Sequence, residues 1–438
     1  MKMIHDQSMA IRRPRRMLRF VALGMGLVIL STALFGCGIA EPVQADTLAI
    51  PGKIKEGVRY EDVSEEFRRS LWAFADKTSA SVLIAPEDQN SLYSPISLYY
   101  ALAMLEAGAA NKTKTDLRAF MAVPDSAQMG DELRNLYALM TVEREKTAEQ
   151  IANAIWFRED LLGDTQKFIK QDWLDQLSND FYASAFKVDF SKAETAKRMS
   201  AWVEEQTKGK IKPDIDLSNP DLLIVLMNTL YFKANWVTPF EENSIHKDTF
   251  DGANGPIIDV SYLSGFFKSL TVLREERYQA CALPLMNGRI DFILPAEGTT
   301  PEDLLKDPAL LVTLMEKERS LVDVDFKLPE FTYRTKMDVL EMMKSIGLQG
   351  IVSENPDFSA MLDRDAQVSA ITQETFIALD KDGVEAAAYT EIQVGGDTSV
   401  PDQLEHIQMT LDRPFIYVIS DSAGAPLFVG IVRNPLSK

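Results

Sequence analysis

The sequence predicts an α+β fold, with a helical N-terminal part and a strand-rich remainder in one large domain. Apolar residues recur at helical spacing from residue 64 to about residue 207. Beyond Asp221 the apolar runs have strand length, and no regular helices separate them, so the alternation of a doubly wound sheet is missing. The chain has 438 residues, 46% hydrophobic and 25% charged, which is ample for one core, and no linker divides it beyond residue 60.

The first segment reads as an address. Lys2, Arg12, Arg13, Arg15, Arg16 and Arg19 precede an almost wholly apolar run from Phe20 to Phe35. That run is shorter than the ~20 residues a membrane-spanning helix needs. It ends in Leu34-Phe35-Gly36-Cys37, which resembles the signal of bacterial lipoproteins, in which the cysteine is lipidated and begins the mature chain. The resemblance implies a signal peptide over 1–36, a lipid on Cys37 and a cell-surface or periplasmic position. The competing reading is an uncleaved membrane anchor. Both place the remainder outside the cytoplasm. Pro42, Pro51, Gly52 and Gly57 mark 37–60 as a flexible tether, and 61–438 as the folded domain.

Within the domain, Phe67, Leu71, Phe74 and Ala75 fall on one helical face. Ser94-Pro95 opens a second helix, with Ser as N-cap and Pro at the first helical position. Its continuation from Ile96 to about Ala107 is apolar nearly all round, which predicts a central, buried helix. Further helices are expected near 130–141, 164–178 and 195–207. Strands are expected at 222–227, 280–294, 321–333, 367–379, 414–419 and 426–432, with a helix near 336–346 that stops at Gly347.

Composition excludes several functions. Lys and Arg number 46 against 65 Asp and Glu, a formal charge of −19, and loss of 1–36 moves it to −24. Nucleic-acid binding would need a basic surface. Cys37 and Cys281 are the two cysteines, so no disulfide framework or Cys-rich metal site exists, and Cys281 reads as a small buried hydrophobe. Three histidines, His5, His246 and His406, leave little for His-based catalysis. The G-x-S-x-G, H-E-x-x-H, G-x-G-x-x-G and Walker patterns are absent. One S-x-x-K, Ser184 to Lys187, lacks its partner motifs and reads as chance.

A series of ordered motifs then resembles the serpin family from about residue 64 to 438. Asn90–Leu105 (NSLYSPISLYYALAML) is similar to the family's helix B signature, and Ile151–Phe157 (IANAIWF) to its central strand. Trp202-Val203 with Thr207–Ile211 (TKGKI), then Asn228–Trp236 (NTLYFKANW), follow in family order. Leu328–Phe331, Asp357–Ser359, Arg413–Phe415, Phe428–Gly430 and Asn434-Pro435 complete it. The resemblance implies a serpin fold: a helical N-terminal part packed on three β-sheets, with a large central sheet and an exposed reactive-centre loop at about 383–410. It implies a suicide-substrate inhibitor of serine, or cysteine, endopeptidases. Such a protein is no enzyme, has no catalytic residues, cofactor or metal, and works as a monomer whose partner is the target protease. Nucleic acid is no partner, and a membrane is one only through the lipid.

The segment Gly383, Val384, Glu385, Ala386, Ala387, Ala388, Tyr389, Thr390 resembles the inhibitory hinge. In a strand, alternate residues share a face. Val384, Ala386, Ala388, Thr390, Ile392 and Val394 are small or aliphatic, while the other set is mostly polar or amphipathic, and no proline interrupts the run. That is the pattern of a strand with one buried face. Gly395–Pro401 is flexible, accessible sequence suited to protease bait. Family spacing puts the reactive bond at Asp397–Thr398, with Val394–Gly395 as the alternative because the loop is about six residues longer than in typical members. Ser94, Ser97 and Asn228 match the polar shutter beneath the insertion site. Gln373 stands where the family often has histidine, and Trp236 matches the tryptophan under the top of the site. Lys381 replaces the hinge's usual acid. The alternative functions are a non-inhibitory serpin-fold binding module on the cell surface, a solute-binding lipoprotein and a carboxylate-based hydrolase.

Overall fold

A computed structural model describes residues 46–159, 169–219, 222–368, 371–384 and 404–437. Ser64 caps the helix Glu65–Val82, its Oγ accepting from the Phe67 N–H at 3.2 Å. Ser94 caps Pro95–Gly108 in the same way, and that helix is buried on nearly every side, as its all-round apolar sequence requires. Met129–Met140, Gln171–Asp180 and Ala193–Gln206 follow.

The large sheet runs in the order Asp46–Ala49, Ala183–Val188, Thr147–Arg158, Ile224–Asn235, Gly383–Val384, Thr372–Asp380, Phe331–Asp338, with Val142–Arg144 paired to the third of these. A nine-stranded ladder forms the other sheet layer, from His406–Thr410 through Ser320–Pro329, Gly255–Arg274, Tyr278–Leu285, Gly288–Pro295, Phe415–Ser420 and Pro426–Val432 to Ser91–Tyr93, with His246–Gly252 paired to Gly255–Arg274. The second and third sheets of the sequence expectation are thus continuous through the long strand Gly255–Arg274.

Sides alternate along Ile224–Asn235. Leu226, Leu230, Phe232 and Ala234 face the main core, whereas Val225 and Met227 join Trp156, Phe186 and Met199 under the helix Ala193–Gln206. This assigns the large sheet an inner face and a helix-covered outer face.

Several expectations change. From Asp46 on, the segment read as a tether is ordered. Asp46–Ala49 is an edge strand antiparallel to Ala183–Val188, the Gly52 N–H donates to Ser178 O at 2.9 Å, and the Lys55 N–H donates to the Tyr182 hydroxyl at 3.0 Å. An edge strand needs only one row of backbone partners and little apolar content, so composition alone resembled a linker. The run 280–294 is a hairpin turning at Met286-Asn287, and 321–333 is parted at Glu330. The expected helix at 336–346 begins at Val339, because 331–338 is strand, and it ends as predicted at Gly347 with φ +93°. Ser184 and Lys187 sit three apart on a strand and so point to opposite faces, which agrees with the S-x-x-K being chance.

Candidate functional site

The strands Ile224–Asn235 and Thr372–Asp380 run parallel to each other, and the short strand Gly383–Val384 lies antiparallel between their upper ends. Val384 pairs with Ala234 on one side and Leu379 on the other, and Gly383 with Asn235 and Asp380. Val384 is 4% exposed and packs in the main core, on the face its position in the alternating set predicts. Gly383 has φ +150°, and a Cβ there would lie 2.4 Å from the Ala234 carbonyl oxygen, so only glycine fits.

Below Val384 no described strand lies between the two flanking strands. A cavity of about 530 Å³ opens there, with Ser94, Asn228 and Gln373 towards its polar part and Leu105, Leu226 and Ile371 among its apolar lining. The lower half of Ile224–Asn235 is accordingly only half-buried.

The top is clasped from outside. The Trp236 and Phe240 N–H groups donate to Asp382 O and Lys381 O, each at 3.1 Å, and Trp236 Nε1 donates to Asp380 O at 2.9 Å. Lys381 keeps an ion pair although it replaces an acid: its Nζ lies 3.1 Å from Asp382 and 3.3 Å from Glu242, and these partners raise its pKa. The pair is mostly exposed and adds little stability.

The residues expected to form the shutter fall into two separate groups, Gln373 with Ser94 and Ser97, and Asn228 with Asn153. Gln373 clamps the backbone of Ser94: its Oε1 accepts from the Ser94 N–H at 2.7 Å and its Nε2 donates to Ser94 O at 3.0 Å. Ser94 Oγ bonds Ser97 Oγ at 3.0 Å. Asn228 Nδ2 donates instead to Asn153 Oδ1 at 2.6 Å, and Asn153 donates to Phe181 O at 2.8 Å. The Asn228 Oδ1 is buried with no hydrogen-bond partner among the described residues.

Sequence reasoning missed Asn153, Glu242 and a buried acid pair under the top of the large sheet. Glu149 is fully buried and Asp421 is 5% exposed. Asn287 Nδ2 donates to Glu149 Oε2 at 2.6 Å, Ser422 Oγ donates to Asn287 Oδ1 at 2.7 Å, and the Ala425 N–H donates to Asp421 Oδ1 at 2.8 Å. Glu149 Oε1 and Asp421 Oδ2 have no donor among the described residues. Burial, then the Asp421 charge, pushes the Glu149 carboxyl well up, and burial raises Asp421 to about 6. The two leftover oxygens are each other's partners through one retained proton. The detectable signal is Glu149 and Asn153, polar residues that alternate with Ile151, Ile155 and Phe157 on the inner face of the strand.

Glu385, Ala386, Ala387, Ala388, Tyr389, Thr390, both bond assignments (Asp397–Thr398, Val394–Gly395) and Cys37 lie outside the described residues. Cys281 is buried, with its thiol pushed up by desolvation. No group of His, Cys, Asp and Glu among the described residues is arranged to hold a metal.

Residues 70–435 match the family model described as serpin (serine protease inhibitor). An uncharacterized serpin-like protein of Thermococcus kodakarensis is 28% identical over 367 residues, covering 80% of this chain and 82% of the relative. The crystal structure of tengpin, a thermophilic serpin, in its native state superposes with a TM-score of 0.74 at 26% identity, covering 90% of this chain and 100% of that one. Human thyroxine-binding globulin in complex with thyroxine gives 0.70 at 24% identity, covering 84% and 99%, a likeness of fold.

Proposed function

The chain belongs to the serpin family, and on that footing we propose that it is a suicide-substrate inhibitor of serine or cysteine endopeptidases. Family membership supports protease-inhibitor-type function in general. The observation that carries the finer reading is the gap in the large sheet beneath Gly383–Val384, whose first two residues already pair on both sides.

In this reading the protease nucleophile adds to the carbonyl at the reactive bond, and an acyl ester or thioester forms as the new amino terminus leaves. Cleavage frees the hinge to continue downward as a strand antiparallel to both neighbours. Carried on in the register of Val384, Glu385 would lie beside Lys233, and Thr390 between Asn228 and Gln373, where its hydroxyl could donate to the free Asn228 Oδ1. Residue 394 would reach Ile224, the end of the flanking strand. An inserted strand of this length makes on the order of a dozen backbone hydrogen bonds at ~1 kcal/mol net each. That sum is comparable with the ~5–15 kcal/mol stability of a folded domain, so insertion suffices to distort a tethered protease before deacylation.

We assign the reactive bond to Asp397–Thr398, with Val394–Gly395 second, the partner to a target protease held as a covalent acyl complex, and the working form to a monomer. We place the protein outside the cytoplasm, held through a lipid on Cys37. The fold-level likeness to thyroxine-binding globulin, together with the 530 Å³ cavity, supports a second reading, a non-inhibitory binding module.

The test is incubation of the processed protein with elastase-, subtilisin-, trypsin- and caspase-like proteases, followed by denaturing gels and mass spectrometry. A denaturant-resistant adduct is expected, and the mass of the released C-terminal peptide identifies the bond. Cleavage by every protease with neither adduct nor gain in heat stability would leave the binding-module reading.

A further inference from the structure

The described chain enters the large sheet at the end opposite its hinge. Asp46 pairs with Lys187, Lys187 with Phe157, and Phe157 with Ile224, so all four share one row across the sheet. Val384 belongs to the row of Thr147, Ala234, Leu379 and Phe331. Ala234 lies ten residues along the strand from Ile224, which at 3.3 Å per residue sets the rows ~33 Å apart. Nine residues join Cys37 to Asp46, a reach of at most ~30 Å when fully extended.

We propose that the bilayer carrying the Cys37 lipid faces the Asp46–Lys187–Phe157–Ile224 end of the sheet, so that the hinge stands at the far end, away from the membrane. This rests on the lipid-anchor reading. The short connection sets the orientation; surface charge does not. At the membrane-facing end Lys187 is paired with Glu159 at 3.3 Å and Lys192 with Asp189 at 3.6 Å, so the lysines there are matched by acids.

The experiment uses the full chain expressed in a bacterium that processes lipoproteins, reconstituted in phosphatidylcholine vesicles with an acceptor-labelled lipid. Lys192→Cys reports the near end and Glu242→Cys, beside Lys381, the hinge end; their side chains are 59% and 80% exposed. Acylated Cys37 and buried Cys281 leave the introduced thiol as the one that a maleimide donor labels. Energy transfer is expected to be about two-fold or more higher from position 192, for a ~33 Å difference in height. A flexible insertion of ~20 Gly/Ser residues before Asp46 should erase that contrast. Equal transfer, greater transfer from 242, or a contrast that survives the insertion overturns the orientation. Protein recovered with no acyl mass on Cys37 overturns the anchor reading itself, and the two failures are told apart by that mass.

Discussion

Glu149→Gln is expected to stabilise the protein at neutral pH and to change little in acid. Two carboxyls share the site, and burial raises Asp421 from its ordinary 3.8 to about 6 and Glu149 well above its own 4.5. A raised acid holds its proton longer in the folded than in the unfolded chain. Stability therefore falls as pH rises, between about 4 and 6 for Asp421 and further upward for Glu149. The lift on Asp421 alone corresponds to about 3 kcal/mol withheld from the native state at pH 7. Glutamine keeps the acceptor for Asn287 and a donor for Asp421, and it removes the cost of ionising Glu149 itself in a buried site beside Asp421, so a penalty of at least this order is relieved at neutral pH. For a chain of this length 3 kcal/mol is a rise of about 4 °C in the unfolding midpoint. The assay is thermal unfolding of wild type and variant at pH 4 and pH 7.5, at matched scan rates because unfolding of large proteins is often irreversible. A difference between the two proteins that is the same at both pH values, or a variant less stable at pH 7.5, would refute the shared-proton account.

Three further outcomes follow from the site. Val384→Glu buries a charge between Ala234 and Leu379 and, on the proposed trapping reaction, should give cleaved product without adduct on denaturing gels. Gln373→Leu leaves the Ser94 N–H without its partner and the Ser94 carbonyl with the Leu98 N–H alone, and should lower stability by about 1–3 kcal/mol in denaturant titrations; an unchanged midpoint would show that the clamp contributes nothing. Deleting residues 46–52 removes the edge strand and the Gly52–Ser178 bond, with an expected loss of about 1–3 kcal/mol and full retention of adduct formation.

Much of this architecture could be read from residue order. The capped helix at Ser94-Pro95, the late strands Phe415–Ser420 and Pro426–Val432 and the inward face of Val384 follow from local pattern, and the structure has them where expected, whereas His246–Gly252 and Gly255–Arg274 went unread. The space that the described residues leave beneath the hinge could not be read so, because it is a relation between strands some 150 residues apart, which no local pattern encodes. Asn228 bonds Asn153, a partner fixed by sheet register 75 residues away that no local pattern names. The acid that faces Lys381 is Glu242, brought there by the turn Glu242–Ser244 about 140 residues earlier in the chain, so the pair is not legible locally. The strand Asp46–Ala49 reads as linker in the sequence because an edge strand needs backbone partners more than apolar side chains.

The separation of Asp46 from Val384 has a mechanical consequence for the proposed trapping reaction. A strand that grows from Val384 to the row of Ile224 hauls its cargo the length of the sheet, to the end where the leash begins. A protease domain of ordinary size is roughly 40 Å across, wider than the ~30 Å that nine residues can span. The anchored molecule would then be a gauge of size: small enzymes fit in the room beneath it, while large ones stretch the leash or stall the haul. A shed copy, free of its lipid, would have no such ceiling.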